Sequence, residues 1–540
     1  MDPYDVVVAG GGPGGSTVAT LLARRGHRVL LLEREKFPRE HIGESLLPAT
    51  MPILEDLGVM PAVRAAGFVE KWGATMVWGD EAEPWSWYFR ETNRRYPHTF
   101  QVWRADFDHI LLDNTRANGA DVREEHTVLE VLFEGERATG VRYRDADGAE
   151  AVTQARFVVD ASGQGAVLGN RLKVREWDPF FQNLAVYGYF DSRRRLPAPD
   201  QGNILVEAVQ DGWMWAIPLR DRLSVGVVID RREGQRLVRE QGAEEFLREQ
   251  ISRAPHTGAL VGAAAMTAGP YVLKDWSYSS KKVVGDGYIL VGDAACFIDP
   301  LFSSGVHLAM SAGVLAAAYI QTMFQQPNLA EPAARLYTDL YARQYDHFRQ
   351  MASLFYSSNR TMDSYFWEAR RLFDQDGQFT PRQAFVRAVA GQPPRGYERV
   401  VLEHGEAPAS FVESVRAVEG ERARRSRDVA ALQQPDATGF PGIARAVPRL
   451  APGVRVERQL VLGDGEFVWG LVATKEGRDG GTECSPFVAA LLREIDGRSN
   501  VADISQRLAG ERADPRQVFQ LAANAVSLLY VDGLVEALDA

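Results

Sequence analysis

The stretch that decides the fold lies near the N-terminus: Tyr4-Asp5-Val6-Val7-Val8-Ala9-Gly10-Gly11-Gly12-Pro13-Gly14-Gly15. Its first half has the apolar content of a buried strand, and its glycines form the pattern G-x-G-x-x-G before a helix. In such a turn Gly10 permits a sharp reversal, Gly12 lets a pyrophosphate approach the backbone, and Gly15 lets helix and strand pack closely. The sequence therefore predicts a dinucleotide-binding α/β unit.

An acidic residue supports the same interpretation. The next strand, VLLLE, ends at Glu33, which is 18 residues after Gly15 and well placed to accept hydrogen bonds from ribose hydroxyls. A glycine turn without a ligand is the alternative, and the strand-helix-strand context disfavours it. From this unit the predicted cofactor contacts are Gly10, Gly12, Pro13, Gly15, Ser16 and Glu33.

The remaining chain changes character three times. To about residue 350, glycine-punctuated strand-like runs alternate with helical ones, which indicates an α/β core. Residues 351–432 are rich in Ala, Arg, Glu and aromatic residues at helical spacing and predict a helical region. Prolines and glycines then predict a linker at 433–455.

A small C-terminal α+β domain is expected at 456–540. Ser485-Pro486 and Asp514-Pro515 each place a capping residue before a proline suited to the first turn of a helix. Residues 527–535 are expected to form a short strand. The domain has a vague likeness to winged-helix peptide-binding domains, which predicts that it binds a carrier or peptide or covers the active site.

Charge and cysteine content limit the function classes. A formal net charge of −11 disfavours general affinity for nucleic acid or anionic membranes. The two cysteines, Cys296 and Cys484, fit a reducing compartment and no metal site, and without a basic signal segment we expect a cytoplasmic protein. Residues 306–324 are apolar, but His307 and Gln321 interrupt them, so a buried core helix is expected.

A second strand also ends in glycine and an acid: Tyr288-Ile289-Leu290-Val291-Gly292-Asp293-Ala294-Ala295. This segment resembles the second FAD fingerprint of aromatic-hydroxylase flavoproteins. The resemblance implies FAD, with Gly292 and Asp293 at the ribityl chain, Arg104 at the phosphates and Ser45 also at the cofactor. A surface arginine is the alternative for Arg104. No second G-x-G-x-x-G unit is visible, so reduced flavin is expected from a separate flavin reductase.

Three further motifs lie in the first 350 residues. Gly212-Trp213-Met214-Trp215-Ala216-Ile217-Pro218 contains W-x-W-x-I-P, Lys71 opens K-x-G-x-x-x-x-W-G, and Asp299-Pro300-Leu301-Phe302-Ser303-Ser304-Gly305 precedes a long helix. Together they resemble the flavin-dependent halogenases of the phenol and pyrrole branch. The ordinary alternatives are core tryptophans and a solvent-facing lysine.

The resemblance implies roles for these residues. Trp213, Trp215, Ile217 and Pro218 would form a wall between flavin and substrate, and Lys71 would be catalytic. Ser304 and Gly305 would bind halide at a helix start, where backbone N–H groups favour anions. Trp78 and Phe302 would line the substrate pocket. Tryptophan halogenases carry glutamate where this chain has Phe302, so free tryptophan is not the expected substrate.

The implied fold is α/β: a Rossmann-like FAD domain of the glutathione-reductase and aromatic-hydroxylase type with a β-sheet substrate domain over approximately 71–100 and 180–275. The implied activity is FADH2- and O2-dependent chlorination or bromination of a phenol or pyrrole in natural-product biosynthesis. Lys71 would present hypohalous acid, as an ammonium donor or as a haloamine.

The partners and rival functions follow from the same motifs. The substrate is expected either free or on an acyl or peptidyl carrier protein, for which Arg422, Arg424, Arg425 and Arg427 offer a basic cluster or merely a solvated helix face. The rivals are an FAD-dependent monooxygenase or prenyl reductase of the same fold, and a catalytically silent flavoprotein scaffold that binds a carrier.

Overall fold

The computed structural model describes residues 4–78, 83–209, 212–356, 386, 389–390, 424–434, 441–476, 481–509 and 514–539. The chain forms two compact units. The first comprises Met1–Tyr365, Val386–Pro393 and Asp464–Phe467, and the second comprises Phe366–Phe385, Pro394–Gly463 and Val468–Ala540.

The strands, in chain order, are β1 (Tyr4–Ala9), β2 (Val29–Leu32), β3 (Val69–Lys71), β4 (Gly73–Val77), β5 (Trp85–Tyr88), β6 (Thr99–Gln101), β7 (Asp121–Arg123), β8 (Thr127–Glu134), β9 (Arg137–Arg144), β10 (Glu150–Asp160), β11 (Arg175–Phe190), β12 (Ile204–Val209), β13 (Gly212–Pro218), β14 (Leu223–Asp230), β15 (Met266–Ser280), β16 (Val284–Gly285), β17 (Tyr288–Leu290), β18 (Val447–Leu450), β19 (Arg455–Leu462), β20 (Phe467–Thr474), β21 (Thr482–Cys484) and β22 (Val535–Asp539).

The α-helices are α1 (Pro13–Arg24), α2 (Met51–Asp56), α3 (Met60–Ala65), α4 (Arg104–Ala117), α5 (Val167–Leu172), α6 (Arg231–Gln241), α7 (Ala243–Arg253), α8 (Pro255–Val261), α9 (Gly305–Gln325), α10 (Ala330–Tyr356), α11 (Pro486–Glu494), α12 (Val501–Ala509) and α13 (Pro515–Val531). Residues 424–432 are also helical.

The first sheet carries the predicted nucleotide-binding unit. Its strands run in the order β16-β17-β10-β1-β2-β7, and β8 and β9 extend it from β10. β1 is parallel to both β2 and β10, and its Val6, Val7 and Val8 are fully buried. A parallel sheet covered on both faces requires such continuous apolar strands.

Helix α9 packs on α1 beside this sheet, and glycines permit the approach. A Cβ atom on Gly313 would lie 2.8 Å from the carbonyl oxygen of Gly14. Among the described residues, α9 is the one helix long and apolar enough to span a membrane, and 78% of its most apolar window is buried inside the protein. This burial fits the expectation of a core helix for residues 306–324.

The second large sheet has seven strands in the order β15-β11-β14-β13-β12-β4-β5. It draws on residues 73–88 and 175–280, close to the two stretches in which the sequence predicts a substrate sheet. Helices α6, α7 and α8 cover one face of it through an aliphatic cluster. The opposite face carries Trp213 and Trp215, because residues two apart on a strand share a face.

The linker prediction is wrong for residues 441–455. β18 pairs with the C-terminal strand β22, and the neighbouring Ile443 and Ala446 are buried in the core of the second unit. Pro448 is compatible with this strand because a two-stranded ribbon leaves one edge without a partner that needs its N–H. Most of the predicted helical region at 351–432 lies outside the described residues.

The rest of the second unit partly follows the predicted signals. Ser485 and Asp514 cap α11 and α13, accepting hydrogen bonds from the backbone N–H groups of Val488 and Arg516. The strand predicted at 527–535 is wrong, since α13 continues to Val531 and the strand begins at Val535. β19, β20 and β21 form a separate sheet. The likeness to winged-helix domains stays a prediction.

Candidate active site

The glycine turn after β1 has the geometry that its sequence predicts. Gly10 has φ +105°, and a Cβ atom there would lie 2.3 Å from the carbonyl oxygen of Ala161. A Cβ atom on Gly15 would lie 1.9 Å from the oxygen of Gly10. Gly12 is the N-cap of α1 and no side chain caps this helix, which Pro13 begins. The helix therefore presents uncapped backbone N–H donors, as an anion site requires.

Glu33 and Ser16 lie at the same turn. The carboxylate of Glu33 is buried and accepts hydrogen bonds from the backbone N–H of Gly11 at 2.6 Å and of Glu35 at 2.9 Å. The Ser16 hydroxyl donates to the carbonyl oxygen of Gly11 at 2.9 Å. Glu33 thus stands at the turn, where an acid can receive ribose hydroxyls, while the Ser16 side chain stabilises the turn itself.

Arg104 is buried and held by an ion pair. Its Nε and Nη2 donate to the two oxygens of Asp108 at 2.8 Å each, and Nη1 donates to the Ile42 carbonyl at 2.6 Å. This excludes the exposed-arginine alternative. Arg39, which no sequence motif indicates, lies at the same place: its Nη1 is 3.4 Å from Asp108, and its Nη2 would be 3.5 Å from a Cβ atom on Gly12. Its only sequence signal was a basic residue after the second strand.

Asp293 follows Gly292, which has φ +62° at the end of β17. Burial raises the pKa of Asp293 to about 6, while Arg104 and Arg175 oppose this rise. Ser45 is buried, and its hydroxyl has no hydrogen-bond partner among the described residues. A buried hydroxyl without a partner calls for a ligand or water to satisfy it.

These residues fit FAD. The open helix N-terminus and the two arginines suit a pyrophosphate, Glu33 suits a ribose, and Asp293 suits the hydroxyls of a ribityl chain. The hydroxyl of Ser45 remains to be satisfied within the same region.

Trp213 and Trp215 lie on the face of the seven-stranded sheet that α6 to α8 leave uncovered. Both rings are buried, and their centroids are 6.0 Å apart. Ile217 and Pro218 continue the same strand and are also buried. Trp215 pairs across the sheet with Val206, which itself pairs with Met76. The motif therefore forms a continuous aromatic and apolar surface.

Lys71 ends the short strand β3, one residue before β4, and is buried. Its Nζ donates to the Leu46 carbonyl at 3.0 Å and lies 5.5 Å from the centre of the Phe89 ring. Burial lowers the pKa of Lys71 to about 7. In the part of the chain that the structure describes, no carboxylate lies within ion-pair distance of this amine. Such burial is unusual for lysine and typical of a functional group.

A small cavity lies between Lys71 and residues such as Met76 and Val206 of the seven-stranded sheet, and Trp213, Trp215, Ile217 and Pro218 do not line it. It is lined by Lys71 and by these residues: Leu47, Ala74, Met76, Trp87, Phe89, Ile204, Val206, Leu301, Phe302, Ser303 and Val389. Phe302 thus lines the same cavity as Lys71, and its place in a substrate pocket stays a prediction. Trp78 does not line this cavity; its ring packs on Phe355 and Tyr356, and its Nε1 donates to the Phe355 carbonyl at 3.3 Å.

The loop before α9 contains the residues expected to hold halide. Ser304 is the N-cap of this 21-residue helix, yet its side chain makes no capping hydrogen bond. Its buried hydroxyl has no partner among the described residues, and Gly305 opens the helix. Two features that favour an anion, a helix N-terminus and an unsatisfied buried hydroxyl, thus coincide.

Asp299, the first residue of the motif before α9, and Tyr356 are further candidate site residues for which the sequence predicts no role. Tyr356 donates its hydroxyl to Asp299 at 2.8 Å and accepts a hydrogen bond from Trp213 Nε1 at 2.5 Å. Burial raises the pKa of Asp299 to about 6, and hydrogen bonds from Tyr356, Leu301 N–H and Asn183 oppose the rise. Nothing in the local sequence links Tyr356 to Asp299 or to Trp213, which precede it by 57 and 143 residues.

Glu44 is a second buried carboxylate near this face. It accepts hydrogen bonds from the Tyr189 hydroxyl at 2.9 Å and from the Gly43 backbone N–H at 3.0 Å. Burial raises its pKa, and the hydrogen bonds of Tyr189, Gly43 and Ser224 oppose this rise. Its position one residue before Ser45 was the only available signal.

Two family models match the chain. The one described as tryptophan halogenase matches residues 90–394, and the one described as FAD dependent oxidoreductase matches residues 5–170. The tryptophan 2-halogenase of Chondromyces crocatus is 38% identical over 390 residues, which are 71% of this chain and 74% of that protein.

Two further proteins extend these similarities. The 1H-pyrrole-2-carbonyl-[peptidyl-carrier protein] chlorinase of Pseudomonas fluorescens is 31% identical over 395 residues, or 69% of this chain and 87% of that protein. The crystal structure of CmlS, a flavin-dependent halogenase, aligns with a TM-score of 0.73 at 26% identity over 99% of this chain and 96% of that one.

Proposed function

This chain belongs to the flavin-dependent halogenases, enzymes that halogenate aromatic substrates with FAD, and on that premise we propose that it halogenates an electron-rich phenol or pyrrole through Lys71. The observation that carries the proposal is a single buried amine in an apolar cavity beside the tryptophan face. Membership in this family disfavours the prenyl-reductase and silent-scaffold alternatives.

The proposed reaction balances as one aromatic C–H, halide, O2, FADH2 and a proton giving the aryl halide, FAD and two waters. Bound FAD, when reduced, supplies with O2 the two-electron oxidant that turns halide into hypohalous acid. The Ser304 hydroxyl and the start of α9 would hold the halide anion.

Lys71 takes the halogen in the next step. Burial favours the neutral amine, whose lone pair attacks the halogen of hypohalous acid; an N–halogen bond forms, the halogen–oxygen bond breaks, and water leaves with the amine proton. The ring then attacks this halogen, its C–H proton returns to nitrogen, and Lys71 is regenerated. A solvent-facing lysine would be protonated at neutral pH and unable to react this way.

The lining of the cavity favours an uncharged aromatic group beside Lys71. Apart from Lys71 and Ser303, its lining residues are aliphatic or aromatic, so a charged group on the ring would lose its hydration without a partner there. By their names, one relative acts on tryptophan and another on carrier-bound pyrrole, so relatedness alone does not choose. The apolar lining and Phe302 favour a phenol or pyrrole.

We also propose two protein partners, a separate flavin reductase and, for a tethered substrate, a carrier protein. The basic cluster offers less support for the carrier than its sequence suggests. Arg425 donates to the carbonyls of Tyr530 and Val535 at 2.9 and 3.0 Å, so it serves the packing of the second unit. Arg424 pairs with Asp428, and Arg422 lies outside the described residues.

The test supplies purified protein with FAD, a flavin reductase, NADH, O2, bromide and catalase. The substrates are a panel of free phenols and pyrroles and, in parallel, the carboxylic acids of this panel loaded on a peptidyl carrier protein. Mass spectrometry then searches for brominated products. We expect bromination by wild type and none by Lys71→Ala. Hydroxylated products would overturn the proposal and favour a monooxygenase, and bromination confined to loaded carrier would establish the tethered substrate.

A further inference from the structure

Both wall tryptophans are fixed at the indole nitrogen. Trp213 Nε1 donates to the Tyr356 hydroxyl at 2.5 Å, and Tyr356 donates to the buried Asp299 at 2.8 Å. Trp215 Nε1 donates to the Ser224 hydroxyl at 3.2 Å, and Ser224 helps to oppose the rise in the pKa of the buried Glu44. Trp213 therefore reaches a buried carboxylate through one hydroxyl, and Trp215 is held by a hydroxyl of the neighbouring strand β14.

The carboxylate of Asp299 strengthens the first of these contacts. A hydroxyl that donates to a carboxylate becomes a better acceptor, so the chain from Trp213 through Tyr356 to Asp299 is stronger than its two hydrogen bonds taken separately. Asn183 adds to the first chain, since its Nδ2 lies 3.1 Å from Asp299 and 3.3 Å from the Tyr356 hydroxyl. Two separate elements, the end of α10 and strand β14, thus converge on one motif in β13.

Space also selects the orientation of Trp215. A Cβ atom on Gly226, the cross-strand partner of Trp215, would lie 2.3 Å from Cη2 and Cζ2 of the indole. The indole of Trp215 therefore occupies the space above Gly226 that the side chain of any other residue would fill. Gly226 has no left-handed φ, so this close approach is the constraint that the structure gives for glycine here.

The position of the wall matters because of what lies on either side. Val206, directly across from Trp215, lines the cavity of Lys71. Asp299, at the other end of the Trp213 chain, begins the loop that leads to Ser304 and Gly305. Trp213 is thus connected through Tyr356 and Asp299 to the proposed halide loop, and Trp215 lies across from a residue that lines the cavity of Lys71.

We propose that Ser224, Gly226 and Tyr356 are positioning residues that hold the two wall tryptophans in the orientation that directs hypohalous acid to Lys71 rather than to solvent. The proposal rests on the function proposed above. None of the three residues contacts the amine of Lys71; they act through the indoles. A tilted indole would open a gap in the wall, and a small neutral oxidant would escape through it.

The experiment measures how the oxidant is partitioned. Ser224→Ala, Tyr356→Phe and Gly226→Ala are assayed with bromide and with the panel compound that wild type brominates fastest. Brominated compound is quantified beside escaped hypobromous acid, trapped by a β-diketone in solution, and both are referred to O2 consumed. Tyr356→Phe keeps the ring that packs 5.5 Å from Phe181, so only the hydroxyl is lost.

We expect each hydroxyl deletion to raise the ratio of escaped to retained halogen by about threefold to tenfold, the usual effect of one lost hydrogen bond. Gly226→Ala is expected to raise it further, because the ring must move. Ser224→Thr, which keeps a hydroxyl, restores the wild-type ratio. Thr75→Val, which removes a buried hydroxyl bonded to Ser86 on the same sheet, leaves the ratio unchanged.

A role in folding alone has a different signature. If the variants lose product and escaped oxidant in equal proportion, so that the ratio of escaped to retained halogen stays at the wild-type value, the positioning proposal is wrong while the halogenase proposal stands. If wild type forms neither brominated compound nor trapped hypobromous acid, the halogenase proposal itself fails, and the positioning role fails with it.

Discussion

The two faces of the seven-stranded sheet are built on opposite principles. The face under α6 to α8 is an aliphatic cluster in which Val225, Val227 and Ile229 of β14 alternate inward and pack against Phe246 and Leu247. The other face carries tryptophans and tyrosines, and the buried ionisable groups Lys71, Glu44 and Asp299 lie beside it on other segments. One sequence supplies both, because successive residues of a strand point to opposite faces.

The difference separates stability from chemistry. Aliphatic burial stabilises the fold without needing partners, and the buried Glu207 on that side serves to accept the backbone N–H groups of His256 and Thr257 at the start of α8. On the aromatic side, Lys71 costs stability, since its charge is disfavoured there. Substitution of Lys71 should therefore lower turnover and raise stability, whereas substitution on the aliphatic face should lower stability and leave turnover nearly unchanged.

The largest effect is expected at Lys71. Lys71→Met should lower halogenation by about a thousandfold, the order expected when a catalytic group is removed. It should also stabilise the protein: with a folded pKa near 7 against 10.5 unfolded, the unfolded chain binds more protons between these values, so wild-type stability rises with pH in that window.

Chemical denaturation at several pH values checks this. At or below pH 7, the free energy of unfolding of Lys71→Met should exceed that of wild type by on the order of 4–5 kcal/mol, and the gain should vanish toward pH 10. A variant that is less stable than wild type at pH 7 would show that Lys71 is a structural residue.

Phe246→Ala should do the reverse on the aliphatic face. Loss of this fully buried ring is expected to cost about 3–5 kcal/mol of unfolding free energy, since it leaves a cavity in a packed core. The kcat per folded molecule should stay within about twofold of wild type. Denaturation with an active-site count gives both values, and Phe246→Leu provides a milder variant should the first fold poorly.

The pH dependence of turnover sharpens the role assigned to the aromatic face. If the neutral amine of Lys71 accepts the halogen, kcat rises about tenfold per pH unit below 7 and levels above it. Trapped hypobromous acid measured in the same series separates this step from earlier ones. Activity that falls through pH 7 instead would mean that the ammonium is the working form, as a hydrogen-bond donor.

The smallest effect is expected at Phe302. Phe302→Leu keeps the cavity apolar but removes ring contacts, including the edge-to-face contact with Phe355 at 5.1 Å. We expect kcat/KM for a phenol to fall about fivefold with little change in stability. Steady-state kinetics on two phenols of different size test it, and equal values for wild type and variant on both would remove Phe302 from the substrate pocket.

The sequence predicts the nucleotide-binding turn correctly but misplaces two elements of the C-terminal region, and each outcome has a physical reason. Gly10, Gly15 and Glu33 were found because a turn with close backbone approach needs glycine at fixed spacing and the acid follows at the next strand end. The predicted linker is wrong over residues 441–455 because prolines such as Pro448 also occur in edge strands. The strand at 527–535 was misplaced because helix α13 and β22 are separated by a short turn with an apolar sequence on both sides.

By itself the sequence determined the nucleotide-binding turn, the FAD motifs and the W-x-W-x-I-P strand, and it predicted a catalytic role for Lys71, since each depends on residues close together along the chain. The tertiary structure alone decided that Lys71 is buried, that the Ser304 hydroxyl has no partner among the described residues, and that Tyr356 and Ser224 accept hydrogen bonds from the indole nitrogens of Trp213 and Trp215. Burial and hydrogen-bond partners depend on residues far apart in sequence, and folding brings these together in ways that no local pattern encodes.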